Sequence, residues 1–170
     1  MLEEIRIMKK TLRGASLALF VLLGCFLVWF GWLYASVDKL LWFHAAALPE
    51  DARPAVEPLY FALMNLIGGA SIGLGLLCLF VTATSVRNGS IAAATAVFVS
   101  ISIPLVMAAV TAEMLARTGA PTSWRIMGGL LFVAALAYGF HIIAYRSKIS
   151  LRRRAEANLD FPEMRDAPIE

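Results

Sequence analysis

The chain predicts an all-α fold, an integral membrane four-helix bundle with both termini in the cytoplasm. Three observations carry that expectation. Four apolar runs occupy residues 12–36, 59–85, 91–116 and 123–145 of the 170. Each reaches the ~20 residues a helix needs to cross a ~30 Å hydrocarbon core. Hydrophobic residues make up 60% of the chain and charged residues 16%, against about 25% charged in a soluble domain. The basic residues also gather on alternate connections. Arg6, Lys9, Lys10 and Arg13 precede the first run, Arg87 follows the second, and Arg146, Lys148, Arg152, Arg153, Arg154 and Arg165 follow the fourth. Only Lys39, Arg53, Arg117 and Arg125 lie on the other side. The positive-inside rule puts the richer side in the cytoplasm.

A soluble bundle is excluded by the runs themselves. Residues 14–36 and 59–85 carry no charge at any helical angle, whereas a soluble helix keeps a polar face. The chain divides into a cytoplasmic segment 1–11, a four-span domain 12–146 with an outer loop 37–58, and a basic, then flexible, cytoplasmic tail 147–170. The basic clusters beside the spans read as contacts to anionic lipid headgroups at Lys9, Lys10, Arg152, Arg153 and Arg154. Nucleic acid is not the expected partner.

Residues 1–10 read either as an amphipathic helix on the inner surface or as a continuation of span one. The basic start followed by an apolar run has the order of a signal peptide. The run exceeds the usual ~7–15 residues of such a core, although cleavage near Ala45–Ala47 would leave three spans. Span one ends in aromatics, Trp29, Phe30, Trp32 and Tyr34, continued by Trp42 and Phe43. With Tyr60, Phe61 and Trp124 they predict an outer headgroup-level belt, and Tyr138, Phe140 and Tyr145 an inner one.

The loop 37–58 has a net charge of −2, and Pro49, Pro54 and Pro58 are expected to break regular structure. Residues 39–48 read as a short surface helix. Span two is rich in small residues, and Gly69, Gly73 and Gly75 are expected to pack helices closely, the first two at GxxxG spacing. Span three holds Pro104 near its middle, which removes a backbone hydrogen bond; Ser100 or Ser102 is placed to take the freed carbonyl. Thr122 or Ser123 is the expected N-cap of span four.

Ionisable groups in a membrane are functional candidates by default. Glu113, His141 and the Asp38–Lys39 pair stand out. Glu113 and Lys39 share the outer level, which predicts an ion pair there, with Arg117 competing at i,i+4. Lys39, Asn65 and Glu113 together form the candidate polar site or structural clamp. Cys25 and Cys78 differ in depth by ~10 Å at ~1.5 Å per residue, too far for a disulfide. His44 and His141 lie at opposite ends, so they cannot ligate one haem. No zinc spacing, GxSxG, phosphate loop or HExxH occurs. No catalytic set and no metal site is read from the sequence.

The segment FGWLYASVDKLLWF, residues 30–43, resembles the DoxX-like membrane proteins, with Gly31, Lys39 and Leu40 at the matching positions. LIGGASIGLGLLCLF, residues 66–80, is similar to that family's Gly-rich second helix at Gly68, Gly69, Gly73 and Gly75. Arg87 and Ala92–Ala94 fit its short basic turn and Ala-rich third helix. The resemblance covers about half the chain. Asn65 stands where the family often has an acid. The resemblance implies a bacterial inner-membrane protein with links to membrane redox complexes, and a quinone is the cofactor it leaves open.

The expected function is a non-catalytic subunit or scaffold of a larger inner-membrane assembly, redox or photosynthetic, bound to lipids and other subunits, with homo-oligomers left open. The alternative is a small-molecule transporter or quinone-binding oxidoreductase component, with Lys39, Asn65 and Glu113 lining an outward-facing pocket.

Overall fold

The computed structural model describes the backbone of residues 2–159 and the side chains of residues 3–145. The described residues are helical with no strand. The elements are α1 (Leu2–Ala35), a short α2 (Trp42–Ala45), α3 (Arg53–Val81), α4 (Ile91–Ala116) and α5 (Arg125–Leu159). Four of these helices are long and apolar enough to cross a membrane. Their alternation defines two ends of the bundle. The terminal end carries the start of α1 and the α3–α4 turn; the connector end carries the α1–α3 loop and the α4–α5 turn.

Residues 2–10 continue α1 without a break. Helix α4 has the bounds read from sequence, because both ends carry chemical stops. Ser90 accepts the Ala93 N–H as N-cap, and Gly119 takes a left-handed φ of 88° in the next turn. Helix α3 starts earlier than expected, at Arg53. Pro54 sits in its first turn, where an N–H has no intrahelical partner to lose. Pro58 lies one turn on and forfeits a single bond, so the expected break there does not occur. The connector therefore shortens to residues 36–52, and its helical part is α2 followed by a 3-10 turn, Glu50–Ala52.

α3 ends in a π-helical turn, Thr82–Val86. Gly89 follows with φ 91°, and its bare Cα lies against the Tyr145 ring. A side chain at 89 would meet that ring as well as an unfavourable backbone region.

Helix α1 is the central helix: it packs on α3 and on α5, and α4 packs on α5. The α1–α3 contact is a backbone approach. A Cβ at Gly68 would lie 2.6 Å from the Gly31 carbonyl oxygen, and one at Gly75 2.8 Å from that of Gly24. The two glycines on each helix are seven residues apart, two turns, so both meet along one antiparallel seam. Of the glycines expected to pack, Gly75 does so. Gly69 and Gly73 have nothing near a would-be Cβ and are exposed. They are rotated by roughly 100° and 140° from Gly68 on a 3.6-residue helix.

The core, Phe20, Leu23, Leu27, Val97, Ile101 and Ala134 among others, runs along α1, α4 and α5. All four tryptophans are more than half exposed, as an interfacial belt requires. Tyr138 and Tyr145 depart from the expected inner belt. Tyr138 stacks on Phe98 and shares a 3.0 Å hydrogen bond with Thr95. Tyr145 is buried, with its hydroxyl 3.5 Å from the Arg87 carbonyl and Arg13 above its ring. Cys25 is exposed, Cys78 is buried, and both are free.

Candidate functional site

Helices α3 and α4 touch little. Between them, toward the terminal end, lies a void of about 80 Å³ against Cys78 and Val97. Toward the connector end the bundle opens into a cavity of about 700 Å³. That volume is within the ~300–1,000 Å³ of small-molecule sites. The cause is local. Glycines draw α3 against α1 and away from α4, while α4 leans on α5 and carries Pro104 at the cavity wall.

Each element contributes one kind of wall. Helix α1 gives Phe26, Phe30 and Tyr34, one turn apart on one face, with the Phe30 and Tyr34 rings 4.2 Å apart. Helices α3, α4 and α5 give mainly aliphatic and thioether groups such as Met64, Met107 and Met127. Met suits irregular apolar space. The connector covers the mouth with Trp42, Phe43 and His44. No charged side chain lines the cavity.

The connector is strapped in place by two residues of α3. Tyr60, 8% exposed, accepts the Leu41 N–H at 3.3 Å, and its hydroxyl shares a 2.8 Å hydrogen bond with His44 Nδ1. Arg53 donates to the Ala45 and Leu48 carbonyls at 3.0 and 3.4 Å. These bonds satisfy backbone groups that an irregular segment would otherwise leave unpaired. Burial lowers the His44 pKa from the usual imidazole value, since the charged ring would lose its water.

The residues expected to form a polar site are not brought together. Glu113 pairs with Arg117 at 3.7 Å, one turn on at the C-cap of α4; Arg117 is exposed and Glu113 half-buried. Lys39 is exposed in the connector. Equal depth did not make the two neighbours, because α4 stands across the cavity from α1. Asn65 is exposed on α3, in line with Gly69 and Gly73 at four-residue steps. None of Lys39, Asn65 and Glu113 lines the cavity. Lys9 is half-buried and Lys10 exposed at the start of α1. The side chains of Arg152, Arg153 and Arg154 lie outside the described residues, as does the tail from residue 160.

His141 is fully buried near the terminal end, beside the Ser90 backbone and the Arg13 charge, and neither ring nitrogen closes a hydrogen bond. Ser16, also fully buried, donates to the Ala137 carbonyl at 2.8 Å and fastens α1 to α5 there. Among the described residues no group of three His, Cys, Asp or Glu side chains could hold a metal.

Sequence reasoning missed Tyr60 and His44 as partners. The signal was present, since both belong to the aromatic cluster at one level, but a belt and a cavity wall have the same composition. Compared with known proteins, the chain matches no family model, no curated protein and no solved structure.

Proposed function

We propose that this chain is a multi-pass membrane protein that binds a lipophilic small molecule taken from the bilayer. The observation that carries the reading is the cavity of about 700 Å³, apolar and aromatic, under a connector held by Tyr60 and Arg53. A sealed bundle would fill that space with side chains, since helices in lipid gain their stability from packing. The weak α3–α4 contact offers a lateral route from the hydrocarbon. A quinone or another ring-bearing lipid has the right size and polarity. The role is binding or handling; the cavity lining contains no nucleophile–base pair. The charge distribution supports both termini in the cytoplasm, and a bacterial inner membrane and kinship with the DoxX-like proteins belong to the same proposal.

A second reading, a subunit of a larger assembly, has its own observation. Asn65, Gly69 and Gly73 form one outward stripe on α3, and among the described residues the Asn65 amide has no partner. An amide at that depth needs a hydrogen bond, and a facing helix would supply one across the small glycines.

One experiment addresses both. The full chain is purified in mild detergent and its retained molecules are identified by mass spectrometry. A stoichiometric non-phospholipid lipophile is the expected result; bulk phospholipid alone would overturn the binding reading. Stoichiometric protein partners that are lost in Gly73→Leu would establish the assembly reading.

A further inference from the structure

We propose that the cavity takes an uncharged, flat, carbonyl-bearing lipophile, and that His44 Nε2–H is the donor that holds its carbonyl. The inference rests on reading the cavity as a lipophile site and names the chemistry of its occupant.

The argument starts with one proton. Tyr60 Oη already accepts the Leu41 N–H at 3.3 Å. His44 Nδ1, 2.8 Å away, is the one acceptor that the described residues offer the Tyr60 hydroxyl proton, and we assign that proton to it. Nδ1 is then the acceptor nitrogen, and a neutral imidazole must carry its proton on Nε2. Among the described residues Nε2 has no partner. The ring is also fixed in direction, since it meets Tyr60 edge-on and lies 4.3 Å from the Phe43 ring centre. His44 lines the cavity. The result is an oriented N–H donor, pinned from behind, at the mouth of an apolar chamber.

Two hydroxyls of the lining are already engaged, and the Tyr34, Ser71, Ser123 and Trp42 donors that also line it are not oriented by a hydrogen bond to another side chain as His44 is. Thr111 donates to the Met107 carbonyl at 2.9 Å and Thr122 to the Ala112 carbonyl at 2.7 Å. With no charged group in the lining, a carboxylate or ammonium would be buried without a counter-charge, which is costly. The complement of an N–H is therefore a neutral acceptor, and a carbonyl is the strongest neutral choice. Phe26, Phe30, Trp42 and Phe43 present rings along the walls, and ring faces favour a flat π-system.

The test uses the full-length protein in nanodiscs and two probes of one shape: menadione, which has two ring carbonyls, and 2-methylnaphthalene, which has none. Affinities are measured for wild type and for His44→Phe, which keeps a flat ring and removes the donor. The preference for menadione over 2-methylnaphthalene is expected to fall about tenfold in the variant, the worth of one hydrogen bond in an apolar site. Comparing preferences cancels the different partitioning of the probes into lipid. An unchanged preference would overturn the His44 assignment while leaving the lipophile reading intact. Failure of both probes to bind wild type would overturn the lipophile reading itself. The infrared carbonyl band of menadione bound to wild type gives a measurement that needs no variant. A downshift supports the donor, and a band at the position seen in empty nanodiscs overturns it.

Discussion

At the scale of single residues, His44 is the group whose protonation the fold has arranged. Burial depresses its pKa below the ordinary imidazole value. The groups around it are Tyr60, which it bonds, and Arg53, which holds the next turn of the connector. The closed connector favours neutral His44, so closure is at full strength above about pH 6.5. It weakens as pH falls from there toward the depressed folded value. Protonation turns Nδ1 into a donor and leaves the Tyr60 hydroxyl proton without its acceptor. The expected outcome is a change in Trp42 emission between pH 7 and pH 5, read in a protein whose Trp29, Trp32 and Trp124 are replaced by Phe. His44→Phe is expected to remove that pH dependence; a titration that persists in the variant would place its source elsewhere.

At the scale of elements, the α1–α3 seam makes the sharpest prediction. Gly68→Ala puts a methyl 2.6 Å from the Gly31 carbonyl oxygen and from the Ala35 nitrogen. Both obstacles are backbone, so the helices must part. The expected cost is about 1–3 kcal/mol, the usual range for overpacking. Gly69→Ala meets open space and is expected to change stability by less than about 0.5 kcal/mol. Thermal unfolding of the two variants in the same detergent checks the contrast, and equal behaviour would mean that the seam lies elsewhere. The sequence showed a glycine-rich helix but not which glycines face inward. GxxxG spacing drew attention to Gly69 and Gly73, whereas the seam uses a seven-residue spacing that is matched on α1 at Gly24 and Gly31. Matching two helices requires knowing that they are partners, and that is a tertiary fact. The start of α3 was missed for a local reason: prolines in a first turn look like breakers until the helix start is fixed.

At the scale of the whole molecule, the two ends should lie on opposite sides of the membrane. In a protein lacking Cys25 and Cys78, Thr118→Cys in the α4–α5 turn is expected to react with an impermeant maleimide on intact cells. Asn88→Cys in the α3–α4 turn is expected to react only after lysis. The opposite pattern would invert the proposed orientation. The sequence by itself determined the number of helices long and apolar enough to cross a membrane, the bounds of α4 and the grouping of the start of α1 with the end of α5 at one end of the bundle. Those follow from apolar length, chemical caps and the alternation of connections, all of which are local or additive along the chain. The tertiary structure decided which helices are neighbours, which glycines meet, that Glu113 turns to Arg117 rather than Lys39, and that Tyr60 reaches His44 beneath the connector. It also decided the cavity. A cavity is space that side chains leave unfilled between helices far apart in sequence, so no run or spacing encodes it until the helices are packed.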